Sequence, residues 1–161
     1  MTRRTYENSE IRVQWDSDFC IHTGMCIRFG DGVFDSSRRP WVELDRADVD
    51  TIVSAIEACP TGALRYERMD GNPGEVAPRT TTIVPFPNGP LFVRGEVEVR
   101  DRDGEIFVAS PRVALCRCGH SQNQPFCDLS HRDSGFRDHA AAPAQNREDA
   151  MSPDDISPEN L

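Results

Sequence analysis

Residues 116–131 read CRCGHSQNQPFCDLSH, and this run of cysteines closed by a histidine constrains the chain more than any other feature. The spacing is C-x-C, then eight residues, C, then three residues, H. Cys116 and Cys118 flank one residue, so an extended chain aims both thiolates the same way, because side chains two apart share a face. Pro125 fixes the loop ahead of Cys127. Asp128 can cap a short helix, and the step from Cys127 to His131 matches one helical turn. All four groups can then converge on one metal centre. The spacing alone also admits structural zinc, for which three cysteines and a histidine are a known set, although zinc sites prefer C-x2-C to C-x-C.

The rest of the composition says why a metal is needed. In 161 residues the hydrophobic fraction is 37 % and the aromatic fraction 7 %, so side-chain burial stabilises two small cores only weakly, and small domains of that kind recruit disulfides or metals. The six cysteines split three and three, with Cys20, Cys26 and Cys59 in the first half, an awkward division for disulfides within each half. Residues 1–10 are polar and lack an apolar signal core, and the apolar runs are too short to span a bilayer. A cytoplasmic, reducing location without membrane attachment is the expectation, and there cysteine clusters bind metal more often than they pair. The net charge of −9 repels nucleic acid and anionic lipid.

Ile11, Val13 and Trp15 alternate with polar residues and predict a strand, followed by a loop carrying Cys20 and Cys26. Val49, Ile52, Val53 and Ile56 recur at helical spacing, with Asp45 or Asp48 able to cap the start and Pro60 stopping the helix after Cys59. Residues 63–66 then pair back with the first strand. Gly71, Pro73, Gly74 and Pro78 make 70–79 a linker. Beyond it, 82–86, 91–94, 97–100, 106–109 and 113–115 read as strands, with a tight turn at Asp103-Gly104. Residues 139–161 are Ala/Pro-rich and acidic and read as a disordered tail. The expected fold class is α+β: a unit over 1–69, the linker, a β-rich unit with a short helix over 80–138, and the tail.

The C-terminal segment resembles the CDGSH (mitoNEET-like) iron–sulfur family, whose pattern is C-x-C-x2-S/T-x3-P-x-C-D-G-S/A/T-H. Cys116, Cys118, Ser121, Pro125, Cys127, Asp128, Ser130 and His131 fall on its positions, and Leu129 stands where the family usually has Gly. NGPLFVRG at 88–95 and RVALCRCG at 112–119 look like the family's strands. The resemblance implies a [2Fe–2S] cluster on Cys116, Cys118, Cys127 and His131. It leaves His120 as a surface or second-layer group, and it raises a homodimer through the β strands as one assembly, since some relatives form one.

Upstream, CIHTGMC (20–26) and ACPTGA (58–63) resemble the divergent monocluster ferredoxins, which carry C-x5-C followed by CPxGA. Thr23 stands where a bacterial ferredoxin has its middle cysteine. Phe19, His22, Val33-Phe34 and Pro40-Trp41 also fit that group, which implies a half-ferredoxin unit. With Cys20, Cys26 and Cys59 as ligands the cluster is [3Fe–4S], or [4Fe–4S] with water, Thr23 or His22 on the fourth iron.

No activated nucleophile, phosphate-binding loop or nucleotide fold is legible, so a non-enzymatic role is expected. The expected function is electron transfer between redox partner proteins by two unlike clusters. The alternatives are a cluster donor or redox- and pH-sensing module, and a zinc-stapled binding module.

Overall fold

The computed structural model describes residues 3–138. Strands β1 (Arg3–Glu7), β2 (Ile11–Asp16) and β3 (Leu64–Arg68) form an antiparallel sheet in that order. The alternation at Ile11 and Val13 puts both side chains in the core at 0 % exposure, and β2 pairs with β3 as the sequence predicts, Val13 facing Tyr66. Strand β1 is an addition to that expectation. Its residues, RRTYE, are mostly exposed, so no buried face marks them in sequence.

Helix α1 (Met25–Phe29) carries Cys26 on a helix rather than on the expected loop. Helix α2 (Val49–Glu57) is capped by Asp48, whose carboxylate accepts from the Thr51 backbone N at 2.8 Å and the Thr51 hydroxyl at 3.0 Å. It buries Ile52, Ala55 and Ile56, the spacing of one helical face. Proline at 60 cannot continue it.

Strands β4 (Thr82–Pro85), β5 (Leu91–Arg100) and β6 (Ile106–Leu115) form a second antiparallel sheet. The runs expected separately at 91–94 and 97–100 are one strand, and so are 106–109 and 113–115. The ladder steps from Arg94–Arg112 to Val97–Ser110, so Pro111, which has no N–H to give, falls inside the irregularity. Gly95 lies there at φ 150°, with Thr81 so near that a Cβ would meet its Oγ1 at 2.4 Å.

The short helix expected after Cys127 is instead a run of turns, with Ser134 N donating to Ser130 O at 2.9 Å. Among the described residues both α-helices lie in the first half. Leu129 sits at φ 76°, outside the right-handed helical region, and this breaks the helix at its first position. The tail expected at 139–161 lies outside the described residues.

The halves are not separate bodies. One apolar cluster, around Ile11, Phe34, Ile52 and Leu64, belongs to the first half. A second joins Phe19, Cys59 and Ala63 to Val93, Val113 and Phe126, and a third joins Ile21 to Phe92, Ala114 and Cys127. At the seam the rings of Phe19 and Phe126 meet edge-on with centroids 4.7 Å apart, and Asn123 Nδ2 donates to Asp18 O at 2.7 Å.

Candidate metal centres

The C-terminal site is built at the end of β6. Cys127 N donates to Ala114 O and Cys116 N to Pro125 O, at 2.9 and 2.8 Å, so residues 114–116 and 125–127 lie antiparallel and bring Cys116 beside Cys127. The Ser121 hydroxyl donates to Phe126 O at 2.6 Å and accepts from Asn123 N, which folds the connecting loop. Arg117, between the two cysteines, donates to the Phe86 and Gly89 carbonyls and pairs with Asp138. The Asn88-Gly89-Pro90 turn is thereby tied to the site.

The four donors stand as two pairs. Cys116 Sγ and Cys118 Sγ are 3.7 Å apart, and Cys127 Sγ and His131 Nδ1 are 3.5 Å apart. Two thiolates bonded tetrahedrally to one metal at about 2.3 Å stand about 3.7 Å apart, and a thiolate and an imidazole nitrogen about 3.5 Å apart. Both pairs match one edge of a metal tetrahedron. Among the described residues no three Cys, His, Asp or Glu donors surround one point at single-ion range. Backbone N–H groups face the sulfurs, His120 N to Cys118 and Leu129 N to Cys127, at 3.4 and 3.5 Å. Burial pushes the Cys116 thiol up, but the N–H groups of Ser121 and Gly119 with Cys118 bring it below its ordinary value. At Cys127 burial prevails and the thiol is raised. His131, 9 % exposed, is lowered by burial and by Arg132.

Cys20, Cys26 and Cys59 are far apart in sequence but line one cavity of about 560 Å³, with Trp15, Ile21 and Trp41 among its walls. Burial, with Cys59 and Cys20 close by, pushes the Cys26 thiol up to about 12. The indole nitrogens of Trp15 and Trp41 are buried without a hydrogen-bond partner among the described residues. Three thiols and two orphaned donors around an apolar-walled cavity suit an anionic sulfide-bearing group. His22 Nδ1 lies 3.7 Å from Cys20 Sγ. That is the spacing of a hydrogen bond to the thiolate, or of two donors on one metal atom, and so does not suit His22 as a ligand to a different iron.

Residues 6–69 match the divergent 4Fe-4S mono-cluster family. Protein YjdI of Escherichia coli strain K12, itself described only as uncharacterized, is 40 % identical over 63 residues, 39 % of this chain and 83 % of YjdI. The YjdI of strain O157:H7 matches equally. The chain belongs to the divergent 4Fe-4S mono-cluster family. Its mono-cluster unit is followed by a second match at 88–132, to the family described as iron-binding zinc finger, CDGSH type. This is an iron–sulfur protein with a mono-cluster unit and a CDGSH unit in one chain.

The sequence reading missed Arg112 and Glu75. Arg112 belongs to the CDGSH unit, is 1 % exposed, and reaches into the mono-cluster unit. Its Nη1 donates to the Ile56 and Cys59 carbonyls, while Nε and Nη2 grip the two oxygens of Glu75 at 2.7 Å each. No period-2 signal marks Arg112: along β6 Val108, Ser110, Arg112 and Ala114 are buried and so is Val113 between them, so burial on this strand does not follow a single alternating face. Glu75 lies in the stretch read as linker, which is therefore anchored.

Proposed function

We propose that this protein carries electrons between redox partner proteins through two unlike centres rather than transforming a substrate. Cys116, Cys118, Cys127 and His131 would hold a [2Fe–2S] cluster, and Cys20, Cys26 and Cys59 a [3Fe–4S] or [4Fe–4S] cluster. Bound there, such clusters supply one-electron storage. The observation that carries the reading is the pairing at 3.7 and 3.5 Å, one pair for each of two irons, whereas a single zinc ion requires all four donors mutually close.

The chain's own residues then set direction. Neutral His131 replaces a thiolate and removes a negative charge, so its site holds an added electron more readily. The N–H groups on Cys118 and Cys127 act in the same sense. Electrons are expected to enter at the Cys20, Cys26 and Cys59 side and rest at the His131 side. Phe19 and Phe126 exclude water from the seam, and Ile21, next to Cys20, packs in one cluster with Cys127. With Nδ1 turned to Cys127, His131 keeps Nε2 to carry a proton, which couples electron uptake to proton uptake.

Iron and sulfide counts on anaerobically purified protein test this directly. About five or six irons per chain are expected, against about two if only the CDGSH unit is loaded. Stepwise reduction followed by EPR should fill the His131 side first. Colourless, zinc-loaded protein without labile sulfide would refute the reading.

A further inference from the structure

The geometry points to Arg112 as a residue of the CDGSH unit that serves the other centre: we infer that its guanidinium positions Cys59 and raises the readiness of the mono-cluster centre to hold an electron. This rests on the reading of Cys59 as a cluster ligand.

Arg112 is among the largest fully buried side chains of the molecule. A buried ion pair is seldom retained for stability, because well-packed apolar residues of the same volume do as well. What an apolar residue cannot do is donate to main-chain carbonyls at a helix end, whether already bonded once, as Ile56 O is by Cys59 N at 3.0 Å, or reached from the turn beyond it. Nη1 donates to Ile56 O at 2.5 Å and to Cys59 O, and Nη2 donates to Leu64 O at 3.3 Å. These carbonyls bracket the turn from α2 into β3, where the helix dipole also favours a cation.

The same residue closes on the turn from its backbone. Gly62 stands at φ 66°, and a Cβ there would meet Arg112 O and Ser110 Oγ at 2.5 Å each. The segment Cys59-Pro60-Thr61-Gly62 is held between the side chain and main chain of Arg112. Fixing the Cys59 carbonyl, with the next φ set by Pro60, holds the backbone from which Cys59 presents its sulfur. That sulfur also lies 3.4 Å from the Thr61 hydroxyl.

The charge is oriented as well. Glu75 takes the Nε/Nη2 edge, which leaves the Nη1 edge toward Cys59. The positive end of a buried pair thus lies against the main chain of the residue that carries the candidate ligand, in surroundings where charge is weakly screened. Adding an electron beside it is favoured.

The experiment is an EPR-monitored redox titration of the holoprotein and of two variants. In Arg112→Met/Glu75→Gln neither partner is left as an unpaired buried charge. At a fixed potential its mono-cluster centre should show a reduced-to-oxidised ratio lower by about threefold and an altered line shape, with the CDGSH centre titrating as in the parent. Arg112→Lys keeps the charge without the fork; it should restore the ratio but keep the altered line shape. Unchanged titration of the mono-cluster centre in both variants, or an equal shift of both centres, overturns the inference while leaving the two-centre reading intact. Should the double variant fail to fold, Arg112→Lys with an unaltered line shape overturns it. Iron and sulfide counts on the parent separate the two claims, since a parent without iron at Cys20, Cys26 and Cys59 sinks the reading of that centre and this inference with it.

Discussion

Leu129 stands at φ 76°, in a conformation that costs a side-chain-bearing residue about 1–2 kcal/mol. It is the CDGSH position usually held by glycine, and its side chain packs on the cluster of Ile21, Phe92, Ala114 and Cys127. Leu129→Ala keeps the strain and deletes the packing, while Leu129→Gly deletes both. The glycine variant should therefore be the more stable by about 1 kcal/mol in chemical denaturation, the reverse of the usual order. Its neighbour Asp128 is raised by burial, but hydrogen bonds from Ser130 and Gln122 N pull its pKa down to about 2. Because this lies below the ordinary 3.8, its support for the loop is complete above the unfolded value and is lost as pH falls through the folded one. The Gln122 and Ser130 amide resonances should titrate with a midpoint of about 2; a midpoint at the ordinary value would show that those bonds are not made.

At the scale of elements, α2 and the turn after it hold the mono-cluster centre. Ile56 is fully buried on α2, and Ile56→Ala should cost about 2–5 kcal/mol by urea unfolding. The turn is narrower still. Gly62→Ala combines a left-handed φ with a Cβ 2.5 Å from Arg112 O, and a cost of about 2–4 kcal/mol is expected. A cost near zero in the same assay would mean that β6 does not press on the turn. The period-2 and period-3.6 patterns made β2 and α2 legible, because each has one buried face, and β3 followed as the partner that pairs back with β2. Strand β1 has none, and the helix expected after Cys127 is undone by the backbone of one residue.

At the scale of the molecule, two of the three apolar clusters among the described residues contain residues from both halves. The halves should therefore unfold in one transition, with circular dichroism and cluster absorbance lost together. Phe126→Ala removes the ring that meets Phe19 and should lower stability by about 3–5 kcal/mol. Two separate transitions in the parent protein would contradict the shared core.

Cysteine spacing, a cap at Asp45 or Asp48, Pro60 and the alternation of β2 are local facts; from the sequence they pointed to the α+β class, and together with the two family resemblances they grouped the seven candidate ligands into two sites. What the tertiary structure decided is how those groups face one another. The pairing of Cys116 with Cys118 and of Cys127 with His131, the common cavity of Cys20, Cys26 and Cys59, and the reach of Arg112 to the Cys59 carbonyl are all relations in space. Two of these span about 33 and 53 residues, from Cys26 to Cys59 and from Cys59 to Arg112. Local propensity extends over one turn or one hairpin, so only the closing of the shared core brings such groups together.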